Sequence, residues 1–311
     1  DKVVKDAAWL DVGVIEMPKE ADIEDFRKYL QILFKPDDYV GYCVDAVYDE
    51  KKDKWKPSTR GVFDRTAGEL LEAIKKHPDD IGDVIGDYNK EAGVWIRFNP
   101  IDGKGVNNTN VVDYRYALVE SDSVEPEKQK ALMEELKLPI AVMVHSGGKS
   151  IHAIVKIFAV TEQDYREKVD FLYSVCEKNG LLIDQNNKNP SRLSRLPGVV
   201  RGKNKQFIIA ENIGCESFEE WKEYIEGTID TLPEIVSFSE LKELPPLAPE
   251  LIEGVLRKGH KMLIAGPSKA GKSFLLIELA LSIASGSEWL EHKCNKGRVL
   301  YINLEVDGAS F

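Results

Sequence analysis

Residues 140–158 read IAVMVHSGGKSIHAIVKIF. Two apolar runs rich in β-branched residues flank the segment 146–149, Ser-Gly-Gly-Lys. Such runs, joined by a short segment that contains glycine, are typical of a β-hairpin. This stretch therefore predicts an antiparallel pair of strands, and with it a sheet that is antiparallel at least in part.

The tripeptide Gly-Lys-Ser occurs twice, at 148–150 and again at 271–273. A phosphate-binding P-loop has the pattern G-x-x-x-x-G-K-[ST], which requires a further glycine upstream of the tripeptide. The second copy has that residue, Gly266, whereas the first copy has Met143 in its place. The first copy is therefore not a P-loop by spacing, and its role has to follow from its surroundings.

The length, the net charge and the cysteine content limit the classes of protein that this chain can belong to. A length of 311 residues favours two domains. The net charge of −11 argues against a surface that is basic throughout, although a local basic channel is compatible with it. The four cysteines are scattered without a C-x-x-C pattern, so neither disulfides nor a zinc ribbon are expected. Neither a signal peptide nor a membrane-spanning run is recognisable, and we expect a cytoplasmic protein without membrane contacts.

Helical and strand patterns are mixed up to about residue 215. Periodic apolar residues and capping signals predict helices at 21–34, 66–78, 126–136 and 162–180. Runs rich in β-branched and aromatic residues predict strands at 36–49, 93–105, 113–122, 140–145, 150–158 and 181–184. For residues 1–215 the mixture indicates an α+β fold with a mixed or antiparallel sheet.

Two carboxylates stand at the end of the predicted strand 113–122. Glu120 and Asp122 are two residues apart, so they point to the same side of a strand. Neighbouring carboxylates repel each other unless a cation or a proton lies between them, and this favours a divalent-metal site. The alternative is a pair of solvated acids at a strand end.

The hairpin offers a set of groups that bind phosphate. Ser150 and His152 lie on one face of the second strand, and Lys149 lies at its mouth beside two glycine amides. Hydroxyl, imidazole, ammonium and amide groups all donate hydrogen bonds to phosphate oxygens. The alternative is a hairpin turn with incidental polar residues.

A basic segment follows the last predicted strand of this region. The apolar run LLID ends in Asp184, which alone indicates no more than the start of a turn. Residues 187–205 then contain no acid, which is unusual in an acidic chain. The segment is either a solvated loop or, more specifically, a track for phosphates. Its cations are Lys188, Arg192, Arg195, Arg201, Lys203 and Lys205.

The order of these motifs resembles the archaeo-eukaryotic primase superfamily, whose motifs are D-x-D, S-x-H and an apolar residue followed by Asp. The resemblance covers about residues 20–215, and NPSRLSRLPG at 189–198 is also similar to primase-polymerases of plasmids and phages. It implies a primase-like catalytic domain in which Glu120, Asp122 and Asp184 are the catalytic metal ligands. Glu120 departs from the more common Asp, and its longer side chain can still ligate a metal.

The resemblance further implies template-dependent nucleotidyl transfer from NTP or dNTP with two Mg²⁺ or Mn²⁺ ions. It assigns the incoming triphosphate to Lys149, Ser150, His152, Arg192 and Arg195. We expect the single-stranded DNA template at Arg97, in the run WIRFNP, and at Arg201, Lys203 and Lys205.

A second domain is expected after a helical connector at 216–250, which ends in the proline-rich run ELPPLAPE. In residues 251–311 a strand KMLIAG, the P-loop, a helix and a strand RVLYINLE predict an α/β unit that resembles RecA-like hexameric helicases. ATP is expected at Gly266, Lys269, Gly271, Lys272, Ser273 and Glu305. We expect this P-loop unit to be truncated, so that ATPase activity and hexamers belong to a longer protein.

The sequence thus predicts a primase-polymerase joined to the beginning of a helicase, as in the replication protein of a phage or plasmid in a bacterial cell. The alternative is a non-catalytic DNA-binding or initiator module that recruits or positions a helicase. Intact acids at 120, 122 and 184 favour the enzyme.

Overall fold

A computed structural model describes residues 3–4, 10–228 and 247–302 of the chain. The chain divides into two compact units, Asp1–Thr231 and Leu232–Phe311. Over the described ranges, no helix combines the length and the apolar character that crossing a bilayer requires.

The first unit is built on antiparallel sheets. Its strands, in chain order, are Tyr39–Cys43 (β1), Ala46–Asp49 (β2), Lys54–Pro57 (β3), Val62–Thr66 (β4), Trp95–Arg97 (β5), Tyr114–Val119 (β6), Ile140–His145 (β7), Ile151–Ala159 (β8), Leu193–Arg195 (β9), Val199–Arg201 (β10) and Asn204–Ile213 (β11). They form a five-stranded sheet, β10–β11–β7–β8–β6, a four-stranded sheet, β4–β1–β5–β9, and a separate β2–β3 hairpin. The pairs between named strands are antiparallel, which confirms the predicted sheet type and the β7–β8 hairpin.

The predicted helices of this unit are confirmed to within a few residues. The helices are Ile23–Leu33 (α1), Ala67–Lys76 (α2), Ile81–Ile85 (α3), Pro126–Glu135 (α4), Glu162–Lys178 (α5) and Phe218–Thr228 (α6). Thr66 caps α2 as predicted, and Glu69 completes a reciprocal capping box with it, which stabilises the first turn.

The five-stranded sheet separates two cores because its side chains alternate between its faces. In β6, Ala117 and Val119 pack into one core, whereas Tyr116 and Leu118 pack into the other. Helices α4, α5 and α6 cover the first core, with Leu132, Leu172 and Trp221 among its buried residues. The second core lies between the two sheets and includes residues of α1 and α2, such as Phe26, Leu30 and Leu70.

A crossover between β9 and β10 ties the two sheets together. The Leu196 amide donates to the Val94 carbonyl at 3.1 Å. The Gln206 amide nitrogen donates to the carbonyls of Val94 and Leu196 at 2.8 and 2.7 Å. The chain therefore passes from one sheet to the other at a fixed point, and Arg195, at the end of β9, is held beside the five-stranded sheet.

Three predicted strands are wrong in extent. The segment 36–49 forms two strands in different sheets, β1 and β2, instead of one. The segment 93–105 is a strand only at Trp95–Arg97, and beyond it Ile101 forms isolated bridges to Tyr39 and Val111. The segment 181–184 is not a strand; its Asp184 amide donates a single hydrogen bond to the Glu120 carbonyl at 3.3 Å, and the Leu181 amide closes the end of α5 on the Cys176 carbonyl at 3.0 Å.

In the second unit the described residues, 247–302, contain the predicted helix, Lys272–Ser285 (α7). They also contain two short hairpins, Glu250–Ile252 (β12) with Leu256–Arg257 (β13) and Glu288–Trp289 (β14) with His292–Lys293 (β15).

Both predicted strands of this unit are absent from the described residues. The segments 261–266 and 298–302 pair with no strand there, and their Leu263 and Leu300 are 89% and 84% exposed. A parallel strand needs a hydrogen-bonded neighbour, and its apolar side chains need helices on both faces. Glu305 and most of the connector lie outside the described residues.

Candidate active site

A cleft of about 890 Å³ in the first unit contains most of the predicted site residues. Its walls include the predicted metal ligands, the predicted triphosphate ligands and two of the predicted template ligands. These are Glu120, Asp122, Asp184, Lys149, Ser150, His152, Arg192, Arg195, Arg97 and Arg201. The other two predicted template residues, Lys203 and Lys205, are not among the residues that line it.

Strand alternation directs the acids into this cleft. Leu118 faces the core between the sheets and Val119 the opposite core, so the next residue, Glu120, returns to the inter-sheet side. The strand itself ends at Val119, but the alternation continues: Ser121 is fully buried, and Asp122 is exposed. The predicted common face of Glu120 and Asp122 is thus formed just beyond the strand.

The Glu120 carboxylate is the centre of a hydrogen-bond network. The Ser150 hydroxyl donates to Oε1 at 3.1 Å, and the Asn187 amide donates to Oε2 at 3.1 Å. His152 Nε2 lies 3.2 Å from Oε1. Ile151 and Ala153 of the same strand are buried in the opposite core, so Ser150 and His152 share one face, as predicted.

These contacts keep Glu120 ionised. Burial alone raises the pKa of a carboxyl group, but the electrostatic interaction with His152 and the hydrogen bonds from His152, Ser150 and Asn187 outweigh it. The pKa of Glu120 falls to about 2. Glu120 therefore presents a full negative charge at neutral pH.

His152 links the two sheets. Its Nε2 faces an ionised carboxylate, which can only accept a hydrogen bond, so this nitrogen bears the proton. Its Nδ1 lies 3.1 Å from the hydroxyl of Ser194 on β9. In the structure Ser150 and His152 both contact Glu120, and their contact with phosphates stays a prediction.

Asp184, another of the predicted metal ligands, has different surroundings from Glu120. Asp184 caps a 3₁₀ turn at Gln185–Lys188, and its Oδ1 accepts a hydrogen bond from the Asn186 amide at 2.9 Å. Its Oδ2 is 4.0 Å from Arg192 Nη2. Oxygen ligands of this kind suit Mg²⁺ and Mn²⁺. Among the described residues, however, no three acids, histidines or cysteines converge as a ligand set.

The opposite wall contains buried guanidinium groups. Arg97 and Arg195 are each 7% exposed, and their strands β5 and β9 pair side by side. Arg195 donates to the Ala92 carbonyl at 2.8 Å and lies over the Trp95 ring at 4.3 Å. Arg97 Nε and Nη1 are buried without a described hydrogen-bond partner.

Burial lowers the pKa of these arginines, to about 10 for Arg97 and about 9 for Arg195. Burial likewise lowers the pKa of Arg201. Within the described part of the chain, none of the three forms an ion pair with a carboxylate. Buried cations without anionic partners are costly, so this wall is suited to an anionic ligand.

The first Gly-Lys-Ser lies in a tight turn whose amides are already used. The Gly147 amide donates to His145 Nδ1 at 3.0 Å, and the Gly148 amide donates to the Ser146 hydroxyl at 3.2 Å. Arg201 Nη1 donates to the Ser146 carbonyl at 2.8 Å, and a Cβ on Gly148 would come within 2.9 Å of that nitrogen. The glycines therefore allow Arg201 to approach the turn closely.

Several residues that orient or support the site were not predicted from the sequence. Asn187 and Ser194 orient Glu120 and His152, and Trp95 supports Arg195. The asparagine lies within the basic segment, where only the cations were considered. Residues 53–57 of the β2–β3 hairpin also line the cleft, and their basic and aromatic composition was the signal.

The second Gly-Lys-Ser begins helix α7. Gly271 is its N-cap in a left-handed conformation, with φ at 79°. The Lys272 amine donates to the carbonyls of Gly266 and Pro267 at 2.9 and 2.8 Å, inside its own loop. This is a loop followed by a helix N-terminus, the arrangement that binds phosphates in P-loop proteins.

Residues 228–311 match the family described as AAA domain. No curated protein matches the chain. The AEP domain of the cyanophage S-2L primase-polymerase (PrimPol) has a TM-score of 0.43 and 17% identity, over 65% of this chain and 97% of that one. The catalytic domain of primase RepB′ in complex with initiator DNA has a TM-score of 0.39 and 14% identity, over 66% and 95%. A second structure, of primase RepB′, has 0.38 and 15%, over 66% and 63%.

Proposed function

We propose that the first unit is a template-dependent nucleotidyltransferase, a DNA primase or polymerase that uses NTP or dNTP. One observation supports this most directly. A single cleft contains an ionised Glu120, with Asp122 and Asp184, alongside Arg97 and Arg195, two buried guanidinium groups that form no ion pair with a carboxylate of the described residues.

The guanidinium wall suits a polyphosphate. Neither arginine has a described carboxylate within ion-pair distance to offset its desolvation, and a phosphate oxygen accepts hydrogen bonds from a guanidinium group in a forked geometry. Lys149 and Arg192, which also line the cleft, are exposed enough to follow a longer ligand. We assign Arg192, Arg195 and Lys149 to the triphosphate and Arg97 and Arg201 to the template backbone.

The acidic wall suits a divalent cation. Glu120, Asp122 and Asp184 supply oxygen ligands, and Glu120 needs to lose no proton to bind one. A bound Mg²⁺ or Mn²⁺ would supply charge stabilisation to the reacting oxygen atoms of phosphoryl transfer. The task of Ser150, His152 and Asn187 in this proposal is to hold the Glu120 carboxylate in place.

We further propose that the second unit binds ATP at its P-loop and that the parent is a primase-helicase that replicates a mobile element. Support comes from the loop and helix N-terminus at Gly266–Lys272 and from the AAA match. The two sites then lie in separate units and should fail independently.

Incorporation of labelled nucleotide on a single-stranded template, with Mg²⁺ or Mn²⁺, tests the proposal. Asp122→Ala should lower the rate by about two orders of magnitude or more, because it removes a proposed metal ligand. Lys272→Ala is the matched control and should leave the rate near wild type. If Lys272→Ala abolished incorporation and Asp122→Ala left it unchanged, the assignment of the chemistry to the first unit would be wrong.

One observation favours a second candidate, a non-catalytic DNA-binding or initiator module. Both carboxylate oxygens of Glu120 accept hydrogen bonds from protein donors, and the described residues contain no convergent set of three metal ligands. In that case the wild-type protein binds single-stranded DNA, incorporates no nucleotide with either ion, and Asp122→Ala leaves DNA affinity unchanged.

A further inference from the structure

The β2–β3 hairpin projects from the first unit without supporting it. Its strands, Ala46–Asp49 and Lys54–Pro57, pair only with each other, and none of their residues belongs to a described hydrophobic core. The base of the hairpin is closed by the Ser58 amide, which donates to the Asp45 carbonyl at 3.1 Å, and by Thr59 Oγ1, which donates to Asp45 Oδ2 at 2.8 Å. An ordered hairpin that packs against no core is suited to contact something else.

One face of this hairpin is basic. The run KKDKWKPSTR at 51–60 has five basic residues and one acidic residue, in a chain of net charge −11. Lys56 pairs with Asp49 at 3.3 Å and is still 54% exposed. Lys51, Lys52 and Lys54 are exposed and form no ion pair with any described residue. These cations are therefore available to an anionic partner.

The other face is aromatic. Tyr48 and Trp55 are directly opposite in the strand register, so their side chains share a face, away from Lys54 and Lys56. Their ring centroids are 5.2 Å apart in an edge-on arrangement, and Tyr48 is 42% exposed. The Tyr48 hydroxyl donates to Asp53 in the turn, which fixes the ring. Tyr48 is thus exposed and Trp55 half-buried, and together the two rings offer a surface on which a flat group can stack.

The hairpin also lies at the candidate active site. Residues 53–57 line the same cleft as Glu120 and Arg195. The connection is short, because β2 begins three residues after Cys43, which pairs with Trp95 on β5. Trp95 in turn lies under Arg195. The hairpin thus forms part of the wall of the cleft.

We propose that the β2–β3 hairpin binds single-stranded nucleic acid, with bases on Trp55 and Tyr48 and phosphates near Lys54 and Lys56. A single strand fits better than a duplex, because only unpaired bases expose the faces that stack on aromatic side chains. The inference rests on the proposed function in one respect: the bound strand is then the template that enters the cleft.

Fluorescence anisotropy with a labelled 20-nucleotide single-stranded DNA, without nucleotide or metal, tests the hairpin separately from catalysis. Trp55→Ala should weaken binding about tenfold, the usual effect of removing one base–aromatic stack. Lys54→Ala/Lys56→Ala should reduce the slope of log affinity against log salt by about 0.7 for each phosphate that the protein no longer neutralises. The matched control is Lys75→Ala/Lys76→Ala on α2, two exposed lysines that do not line the cleft, with a smaller expected change in slope.

Trp55→Phe retains a ring and should recover most of the affinity, which separates stacking from a folding defect. Thermal unfolding checks that each variant is folded; if Trp55→Ala is not, the lysine pair and Trp55→Phe decide. Unchanged affinity and salt slope in the hairpin variants, or equal losses in the control pair, would overturn the inference. A protein that binds the strand through the hairpin but incorporates no nucleotide would refute the polymerase and leave the hairpin inference intact.

Discussion

Replacement of Arg97 with methionine should stabilise the ligand-free protein. Arg97 is 7% exposed, and its Nε and Nη1 are buried without a described partner. Burial lowers the pKa of Arg97 well below the usual value of a guanidinium group, to about 10. Such a shift corresponds to a cost of about 3 kcal/mol for holding the guanidinium group charged. Because the pKa is lowered, this cost is present at every pH below about 10, including pH 7.

Methionine retains an unbranched stem to pack against Gly41, which the Arg97 side chain approaches closely. We therefore expect the free energy of unfolding, measured in urea at pH 7, to rise by about 1–3 kcal/mol. The control is Arg166→Met, an exposed arginine paired with Glu162, which should change it by less than about 0.5 kcal/mol.

The same variant should lose the stabilisation that a phosphate ligand gives to the wild type. The increase in unfolding temperature with dNTP and Mg²⁺, or with single-stranded DNA, should shrink, because the buried cation no longer meets an anion. The measurement uses a Lys272→Ala background, so that the P-loop contributes no second nucleotide site. A fall in unfolding free energy of more than about 1 kcal/mol, or an unchanged response to both ligands, would refute the reasoning.

Three further variants test particular contacts. Glu120→Gln should cost up to about 3 kcal/mol at pH 7, because the pKa of Glu120 is lowered from 4.5 to about 2. Since that stability is lost as pH falls from 4.5 towards 2, urea titrations at pH 7 and 4 should show the difference from wild type shrinking. Ser194→Ala leaves His152 Nδ1 without its partner, and we expect slower incorporation at saturating nucleotide with little change in KM. Thr66→Ala removes the cap of α2 and should cost about 1 kcal/mol in urea, whereas Glu69→Gln, which keeps the capping box, should cost less.

The parts of the site that follow from local periodicity were predictable. The period of two in β6 and β8 assigns Glu120, Ser150 and His152 to one side of the sheet, and the structure has them in contact. The apolar run before Asp184 indicated only the start of a turn, and the expectation that Asp184 joins these residues came from the order of the three motifs; the structure has it in the same cleft. The alternation of side chains depends only on neighbouring residues, so it assigns a side chain to a face correctly even where the predicted strand end is wrong by a few residues.

The parts that depend on contacts between sheets were not predictable from one sequence. Ser194 on β9 contacts His152 on β8 because the four-stranded and five-stranded sheets pack together. Nothing local to LSR at 193–195 indicates this packing. In the second unit, KMLIAG has the composition of a buried strand, but pairing is a property of its neighbours. Composition alone therefore could not establish that strand.

The two Gly-Lys-Ser sequences show why spacing is more informative than the tripeptide. At 148–150 the lysine follows a turn between antiparallel strands, and the Gly148 amide bonds the Ser146 hydroxyl of that turn. At 271–273 the glycine caps a helix, and the lysine amine returns to the carbonyls of its own loop. A helix N-terminus leaves several amides unpaired for phosphate, whereas the hairpin has used its own. The Gly147 and Gly148 amides are therefore not free for a ligand, and the phosphate contacts that we propose for the first unit are assigned to side chains, among them the buried guanidinium group of Arg195 in the cleft.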